Sequence, residues 1–379
     1  METRLFKNKN KTGIKIPLLG FGTMRLPRQN EETQEINEKT GQEMVDYAMS
    51  HGVNYFDTAY MYHEGGAETF IGKALSKYPR ESYYLADKIP PWRAETAEDV
   101  SRIFEEQFQK CQIDYFDFYL IHNINEEHFE LAERLKVYDF MKQKQKEGKI
   151  RYIGFSFHDS PEFLEKVLDK HDWDFVQIQL NYLDWTIQNA KRQYEILEER
   201  QIPVIVMEPV RGGSLATLSE KATGILKEAD PNASTASWAI RYAATLPNVL
   251  TVLSGMSGME QIKDNISTIE NFRPLNETDY KTIEAAVKEY QSSFAIPCTY
   301  CRYCMECPSG VHIPKVFDKY NQYFARGDSD KTRFLFEYRQ IGEKRQAHQC
   351  TECGICLPKC PQGIDIPREL EKISEFSKD

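Results

Sequence analysis

From Leu18 onward the chain alternates between short apolar runs and amphipathic stretches of helical length, and this restricts it to the α/β class. The apolar runs are LLGFGTM from Leu18, NYFDTA from Asn54, YYLADKI from Tyr83, FDFYLIH from Phe116, IRYIGFS from Ile150, DFVQIQL from Asp174, PVIVME from Pro203 and LTVLS from Leu250. Stretches 42–50, 67–77, 97–111, 126–147, 161–170, 190–199, 233–244 and 261–270 carry apolar residues at spacings of three and four, with charges between them. The stretch 126–147 meets a helix stop at Gly148. Eight strands alternating with eight helices over about 270 residues are the count and length of a (β/α)8 barrel. A doubly wound open sheet is the competing arrangement, and it fits less well because no GxGxxG follows the first strand. Ahead of the alternation, residues 4–16 read as a hairpin about Lys11-Thr12-Gly13.

At 379 residues the chain is long for one domain, so an appendage is expected. After a helical segment at 274–294 the composition shifts to cysteine, proline and basic residues, with aromatic-rich helical pieces around Tyr320 and Phe334. We expect a barrel over residues 1–290 and a second, small helical and loop domain over 291–379. No apolar run reaches membrane-spanning length, and METRLFKNKNKTG lacks the apolar core of an export signal, so the expected compartment is the cytoplasm. A net charge of −10 argues against nucleic acid as a partner.

Nine cysteines without an export signal are not expected to form disulfides. Cys111 stands alone on the third helix and reads as a core thiol. The first run is Cys298-x2-Cys301-x2-Cys304-x2-Cys307-Pro, and the second is Cys350-x2-Cys353-x2-Cys356-x3-Cys360-Pro. CMECPSGVHIP from Cys304 repeats as CLPKCPQGIDIP from Cys356, with one residue more. The second run has the ferredoxin spacing for [4Fe–4S] binding, in which the fourth cysteine serves the other cluster. By that pattern Cys298, Cys301, Cys304 and Cys360 hold one cluster, and Cys350, Cys353, Cys356 and Cys307 hold the other. Structural zinc is the competing reading, but it takes CxxC pairs separated by a longer spacer.

In a (β/α)8 barrel, polar residues at strand C-termini are active-site candidates. Asp57, Lys88, His122, Ser156, Gln177 and Glu208 occupy such ends, and Tyr62 lies in the loop after Asp57. Taken singly, each has a plain explanation: Asp57 as a turn or cap, Lys88 as a solvated cation, His122 as a satisfied polar group. Their combination in DTAYMY, LADKIP and YLIHN resembles the aldo-keto reductases, and the likeness runs to about residue 275. The resemblance implies a barrel that reduces an aldehyde or ketone with a nicotinamide cofactor and no Rossmann domain. It makes Tyr62 the proton donor, Lys88 the cation that lowers the tyrosine pKa, Asp57 the carboxylate that orients Lys88, and His122 a hydrogen-bond donor to the carbonyl oxygen.

The same resemblance assigns Ser156 and Gln177 to the nicotinamide carboxamide, Met207 to the ring, Val210 and Gly212 to the pyrophosphate, and Asp264 with Asn265 to the adenine. This chain departs from the pattern in three places. Ser156 is followed by Phe157 and His158 where Ser-Asn is common, Met207 replaces a stacking tyrosine, and Gly255 and Gln261 stand where cations pair a 2′-phosphate. Arg211 is the remaining cation within reach, and the balance leans weakly to NADH over NADPH.

With the cysteine runs, the likeness is to the iron–sulfur subgroup of that family. Three roles are open for the clusters: bracing the tail, exchanging electrons with an external carrier such as a ferredoxin, or serving a flavin, for which no separate motif is visible. A carbonyl reductase with an electron-transfer tail is the first reading. A ferredoxin-coupled reductase of another substrate, and a non-catalytic nicotinamide-binding redox sensor, are the alternatives. Trp92 and Trp185 are candidates for lining the substrate mouth.

Overall fold

The computed structural model describes residues 1–8, 12–30, 33–291, 295–325 and 331–378. Strands β1 (Thr3–Lys7) and β2 (Thr12–Pro17) pair antiparallel, from Thr3 opposite Pro17 to Lys7 opposite Thr12. This is the expected hairpin, although part of its turn, at Lys11, lies outside the described residues.

Eight parallel strands then close a barrel: β3 (Leu19–Gly22), β4 (Tyr55–Asp57), β5 (Tyr84–Ile89), β6 (Phe116–Ile124), β7 (Ile150–Phe157), β8 (Phe175–Gln179), β9 (Val204–Met207) and β10 (Val249–Gly255). β10 pairs with both β9 and β3, which completes the ring. Parallel strands are covered on both faces, and this explains their continuous apolar runs: every residue of β6 is buried. One barrel core contains Tyr55, Ala86, Phe118, Phe175, Ile205 and Leu250, and Phe6 and Ile16 of the hairpin pack into it. Phe6 meets Phe118 edge-on at 5.9 Å. The hairpin thus packs near the strand starts, away from the ends that carry the polar candidates.

Most helices form where the apolar period places them. Ala97–Cys111 is opened by a capping box in which Thr96 and Asp99 satisfy each other's backbone N–H groups. The expected single helix over 126–147 is instead two, Glu126–Arg134 and Val137–Lys146. Lys136 breaks it with φ +54°, so that Ala132 before the bend and Val137 and Met141 after it are all buried. Helix Glu220–Ala229 was not apparent from the sequence: it buries only Ala222 and Leu226, too few residues to print a clear period.

The chain packs as two units. The first, Met1–Pro209 with Ala239–Leu275, contains all eight barrel strands. The second joins Val210–Trp238 to Asn276–Asp379. Within it, helix Glu220–Ala229 packs on Glu277–Gln291. Helices Ile313–Ala325, Lys331–Arg339 and Ile366–Phe376 build a further core from Val316, Phe317, Tyr320, Phe334, Tyr338 and Leu370, among others. No helix among the described residues is long and apolar enough to cross a membrane.

Candidate active site

β4 ends on Asp57, paired with Gly22 on one side and Ala86 on the other. Lys88, one residue from the end of β5, directs its Nζ to Asp57 Oδ1 at 2.5 Å and to the Thr58 carbonyl at 2.7 Å. Both side chains are buried, so the pair forms where water does not screen it. Tyr62 follows in a tight turn whose next residues, His63 and Glu64, take φ of 51° and 56°. Lys88 Nζ lies 5.0 Å from the Tyr62 ring centre. The His122 ring, on β6, stands 6.0 Å from the Tyr62 ring and nearly perpendicular to it. Asp57, Tyr62, Lys88 and His122 therefore meet at one end of the barrel.

The electrostatics differ from the expectation in one respect. Burial raises the Tyr62 hydroxyl well above the usual tyrosine range, with Asp57, Glu208 and Asp87 adding to the rise and Arg25 opposing it. Lys88 was expected to lower that value, but its charge is already matched by Asp57 and its nitrogen faces the ring. Burial also raises the Asp57 carboxyl, against the pull of Lys88. His122 is pushed well below the ordinary histidine value, by burial first and by the Lys88 charge second. At neutral pH the site thus presents a protonated phenol beside a neutral imidazole.

Among the neighbours, Arg25, Asn181 and His128 did not stand out in the sequence. Arg25, just after β3, pairs with Glu208 at 3.4 Å, and the Glu208 carbonyl accepts a bond from Asn181 Nδ2 at 3.0 Å. Trp92 lies 5.3 Å from the His122 ring and stacks on His128 at 4.5 Å, which supports its reading as a mouth residue. His128 Nδ1 bonds the Asn123 carbonyl at 2.7 Å, and burial holds His158 down to about 4. Trp185 packs among Tyr194 and Tyr242 instead. Cys111 is buried, with its Sγ 3.8 Å from Asp87 Oδ2.

Ser156 and Gln177 are opposite each other in the β7–β8 register. Ser156 Oγ accepts the Asn123 N–H at 2.7 Å, and its own hydroxyl hydrogen is left to donate. Gln177 Oε1 is buried with no hydrogen-bond partner among the described residues. A buried amide oxygen left this way is costly in isolation and suits a ligand amide. Met207 ends β9 half-buried. Asn265 is buried and donates to Ser254 Oγ at 2.9 Å, with Asp264 half-buried beside it on helix Met259–Glu270. Gln261 Oε1 accepts the Ser257 N–H at 2.7 Å, and a side chain at Gly255 would meet the Arg25 stem at 3.1 Å.

Val210 and Gly212 belong to the second unit. The Val210 carbonyl accepts from the N–H groups of Gly213 and Leu215 at 3.0 and 3.1 Å, closing a turn in which Arg211 and Gly212 have φ of 48° and 65°. Arg211 is completely buried, and its Nη2 donates to the Pro297 carbonyl at 3.3 Å.

None of the nine cysteines forms a disulfide. Burial raises Cys304, and the thiols of Cys301, Cys298 and Cys360 raise it further. Burial also raises Cys356, to about 11, with Cys350, Cys307 and Cys353 adding to it. Two groups of four are thereby brought together, one from residues 298, 301, 304 and 360, the other from 307, 350, 353 and 356. Buried thiolates repel one another unless a cation lies between them. The two runs also share a backbone conformation. Tyr300 N–H donates to Cys298 Sγ and Glu352 N–H to Cys350 Sγ, each at 3.4 Å, and Tyr300 and Glu352 have φ of 58° and 53°. A pocket of about 360 Å³, counting its open side, is lined by Cys307, Cys350, Cys353 and Cys356, with Cys304 of the other group at its wall. No three His, Cys, Asp or Glu side chains among the described residues close on a single-ion site. Thiolates at the corners of a cubane stand farther apart than ligands around one ion.

The repeat seen in the sequence is structural as well. Gly310 and Gly363 take φ of 73° and 60°, and their N–H groups bond the carbonyls of Cys307 and Cys360. Each turn leads into an Ile-Pro helix start: His312 Nδ1 accepts the Lys315 N–H, and Asp365 Oδ1 accepts the Arg368 N–H. Burial lowers His312 to about 4, which keeps that nitrogen an acceptor.

Residues 18–288 match the model of the aldo/keto reductase family, and residues 297–365 match that of a 4Fe-4S dicluster domain. The uncharacterized oxidoreductase YqkF of Bacillus subtilis is 26% identical over 306 residues, covering 73% of this chain and 94% of that protein. The NADH-specific methylglyoxal reductase of Escherichia coli is 24% identical, covering 68% and 91%. Among solved structures, the holo form of the aldo-keto reductase AKR11C1 from Bacillus halodurans superposes with a TM-score of 0.62 at 24% identity, covering 76% of this chain and 96% of that one.

Proposed function

The chain belongs to the aldo/keto reductase family and carries a 4Fe-4S dicluster domain, and from that premise we propose that it reduces an aldehyde or ketone with a nicotinamide coenzyme, Tyr62 supplying the proton. The observation that carries this reading is the meeting of Lys88 with Asp57, at 2.5 Å, beside the Tyr62 ring and the His122 ring. As sequence units, the reductase part occupies residues 1–290 and the ferredoxin-like part 291–379.

The coenzyme supplies hydride when bound. Gln177 and Ser156 would hold its carboxamide, Met207 its ring, Val210 and Gly212 its pyrophosphate, and Asn265 with Asp264 its adenine. Gln177 Oε1, buried without a partner, supports that assignment. His122, neutral, donates a hydrogen bond to the substrate carbonyl oxygen and polarises it. Tyr62 passes its proton to the same oxygen as negative charge develops there. A raised phenol pKa suits this direction, because a developing alkoxide is far more basic than a phenolate. Asp57 holds the Lys88 ammonium in place through their ion pair, and Lys88 steadies the phenolate left behind. A preference for NADH over NADPH accompanies this reading, since Gly255 and Gln261 bring no cation and Arg25 is engaged with Glu208.

A second reading is favoured by one observation: Cys353 is exposed, and Ile355 and Leu357, which follow it, are exposed as well. That edge suits one-electron exchange with an external carrier such as a ferredoxin, by way of the cluster held by Cys350, Cys353, Cys356 and Cys307.

The test is turnover of a carbonyl panel, beginning with methylglyoxal, by wild type and by Tyr62→Phe. We expect the variant to lose about a thousandfold in kcat, the middle of the general-acid range, while binding coenzyme normally in a fluorescence titration. Wild-type turnover by Tyr62→Phe would sink the assignment.

A further inference from the structure

Among the described residues of the second unit, Arg211 is a fully buried cation, and the carbonyl reaction gives it no task. It sits in the turn assigned to the coenzyme pyrophosphate, with a left-handed backbone at φ 48°. Such a conformation is strained for a side-chain-bearing residue and persists only where the surroundings hold it. Its guanidinium bonds the carbonyl of Pro297, the residue before Cys298, across 86 positions of sequence. Asn321 also clamps this stretch, accepting the Ile296 N–H and donating to the Ile296 carbonyl, both at 2.8 Å.

We propose that Arg211 sets the reduction potential of the cluster held by Cys298, Cys301, Cys304 and Cys360, and that through Pro297 it ties this cluster to the coenzyme-binding turn. The inference rests on the cluster reading above. Reduction of a [4Fe–4S] centre adds one electron, and so one negative charge, to the cluster and its thiolates. Net charge, hydrogen bonds to sulfur and solvent exposure set how readily that happens.

The second cluster site serves as an internal control. Both runs supply the same N–H to Sγ bond at 3.4 Å, so hydrogen bonding to the first cysteine of each is matched. Exposure is not matched: Cys304 is buried and Cys353 is exposed. Burial alone would make the first cluster the harder one to reduce. The Arg211 cation offsets this. Coenzyme phosphates at residues 210–213 would partly neutralise the same cation, so coenzyme binding should lower this cluster's potential and leave the other in place.

The test uses the full-length protein with its clusters assembled anaerobically, under an EPR-monitored redox titration of wild type, Arg211→Met and Arg211→Lys. In Arg211→Met, the ratio of reduced to oxidised first cluster at fixed potential should fall by about tenfold, which for one electron is about 59 mV. The second cluster should not move, and Arg211→Lys should return most of the shift. Titration of wild type with and without NAD should displace the first cluster in the same direction. Unchanged potentials in Arg211→Met, or equal displacement of both clusters, would overturn the proposal. Should Arg211→Met not assemble its clusters, the comparison passes to Arg211→Gln and Arg211→Lys, and equal first-cluster potentials in those two overturn it. A wild type that binds no iron defeats the cluster reading itself, a result distinct from clusters that assemble and ignore Arg211.

Discussion

At the scale of single residues, the chemistry depends on where the charges around Tyr62 fall. Burial, Asp57, Glu208 and Asp87 all hold the proton on its hydroxyl, and Arg25 is the opposing charge. The sign follows directly. A phenol whose pKa lies above 10 is fully protonated at pH 7, so carbonyl reduction has its acid ready and loses it only above pH 10. Alcohol oxidation needs the phenolate, which at pH 7 is less than about one part in a thousand of the enzyme. We therefore expect kcat for oxidation to rise about tenfold per pH unit from pH 7 to 10, with no plateau below 10. His122, held neutral, should add no inflection near the ordinary histidine pKa in either direction. A rate profile for both directions on one substrate pair checks this, and an oxidation plateau below pH 10 would contradict it. The four polar residues were legible in the sequence because barrel strands end where chemistry is placed. The direction of the Tyr62 shift was not, because it depends first on burial, then on Asp57, on Glu208 just past β9 and on Asp87 of β5.

At the scale of elements, the strands and most helices were readable because each buries a periodic apolar set. What escaped had a weak or divided period. Helix Glu220–Ala229 buries two residues, and the break at Lys136 is set by what lies beneath the two helix halves. One contact between elements gives a sharp expectation. Helix Gly66–Leu75 meets the C-terminal turn of Ala97–Cys111 through Gly72, where an added Cβ would come within 2.5 Å of the Lys110 carbonyl oxygen and 2.6 Å of the Cys111 backbone. Those are backbone atoms at a helix end and cannot swing aside. On an open helix surface, Gly to Ala would gain roughly 1 kcal/mol of propensity. Here overpacking prevails, and Gly72→Ala should destabilise by about 1–3 kcal/mol. Urea unfolding checks it, with Gly224→Ala, which meets no atom within 4 Å, as the control that should be neutral or stabilising.

At the scale of the molecule, residues 210–238 share a unit with the cysteine-bearing tail, although the sequence places them inside the barrel repeat. That membership was hidden from sequence because it is made by distant partners: helix Glu220–Ala229 against Glu277–Gln291, and Arg211 against Pro297. The tail's own core is small, and Cys298, Cys307, Cys350, Cys356 and Cys360 are packed against it. Cores of this size commonly depend on metal or cross-links to stay folded, and a cluster binding free energy is then also folding free energy. Loss of the clusters should therefore loosen the tail and, through the second unit, the turn at Val210 to Gly213, while the strand ring of the first unit persists. Anaerobic chelation, or the pair Cys304→Ser with Cys356→Ser, should give a low-temperature transition separate from the main one. Coenzyme affinity should weaken by about tenfold, an amount equivalent to about 1.4 kcal/mol. The main transition should stay within a few degrees of its original position, because the eight strands draw none of their pairing from the tail. Calorimetry and a coenzyme titration on the same samples read both quantities. Full coenzyme affinity in the cluster-free protein would mean that the turn at Val210 to Gly213 is held without the tail, and would overturn the coupling.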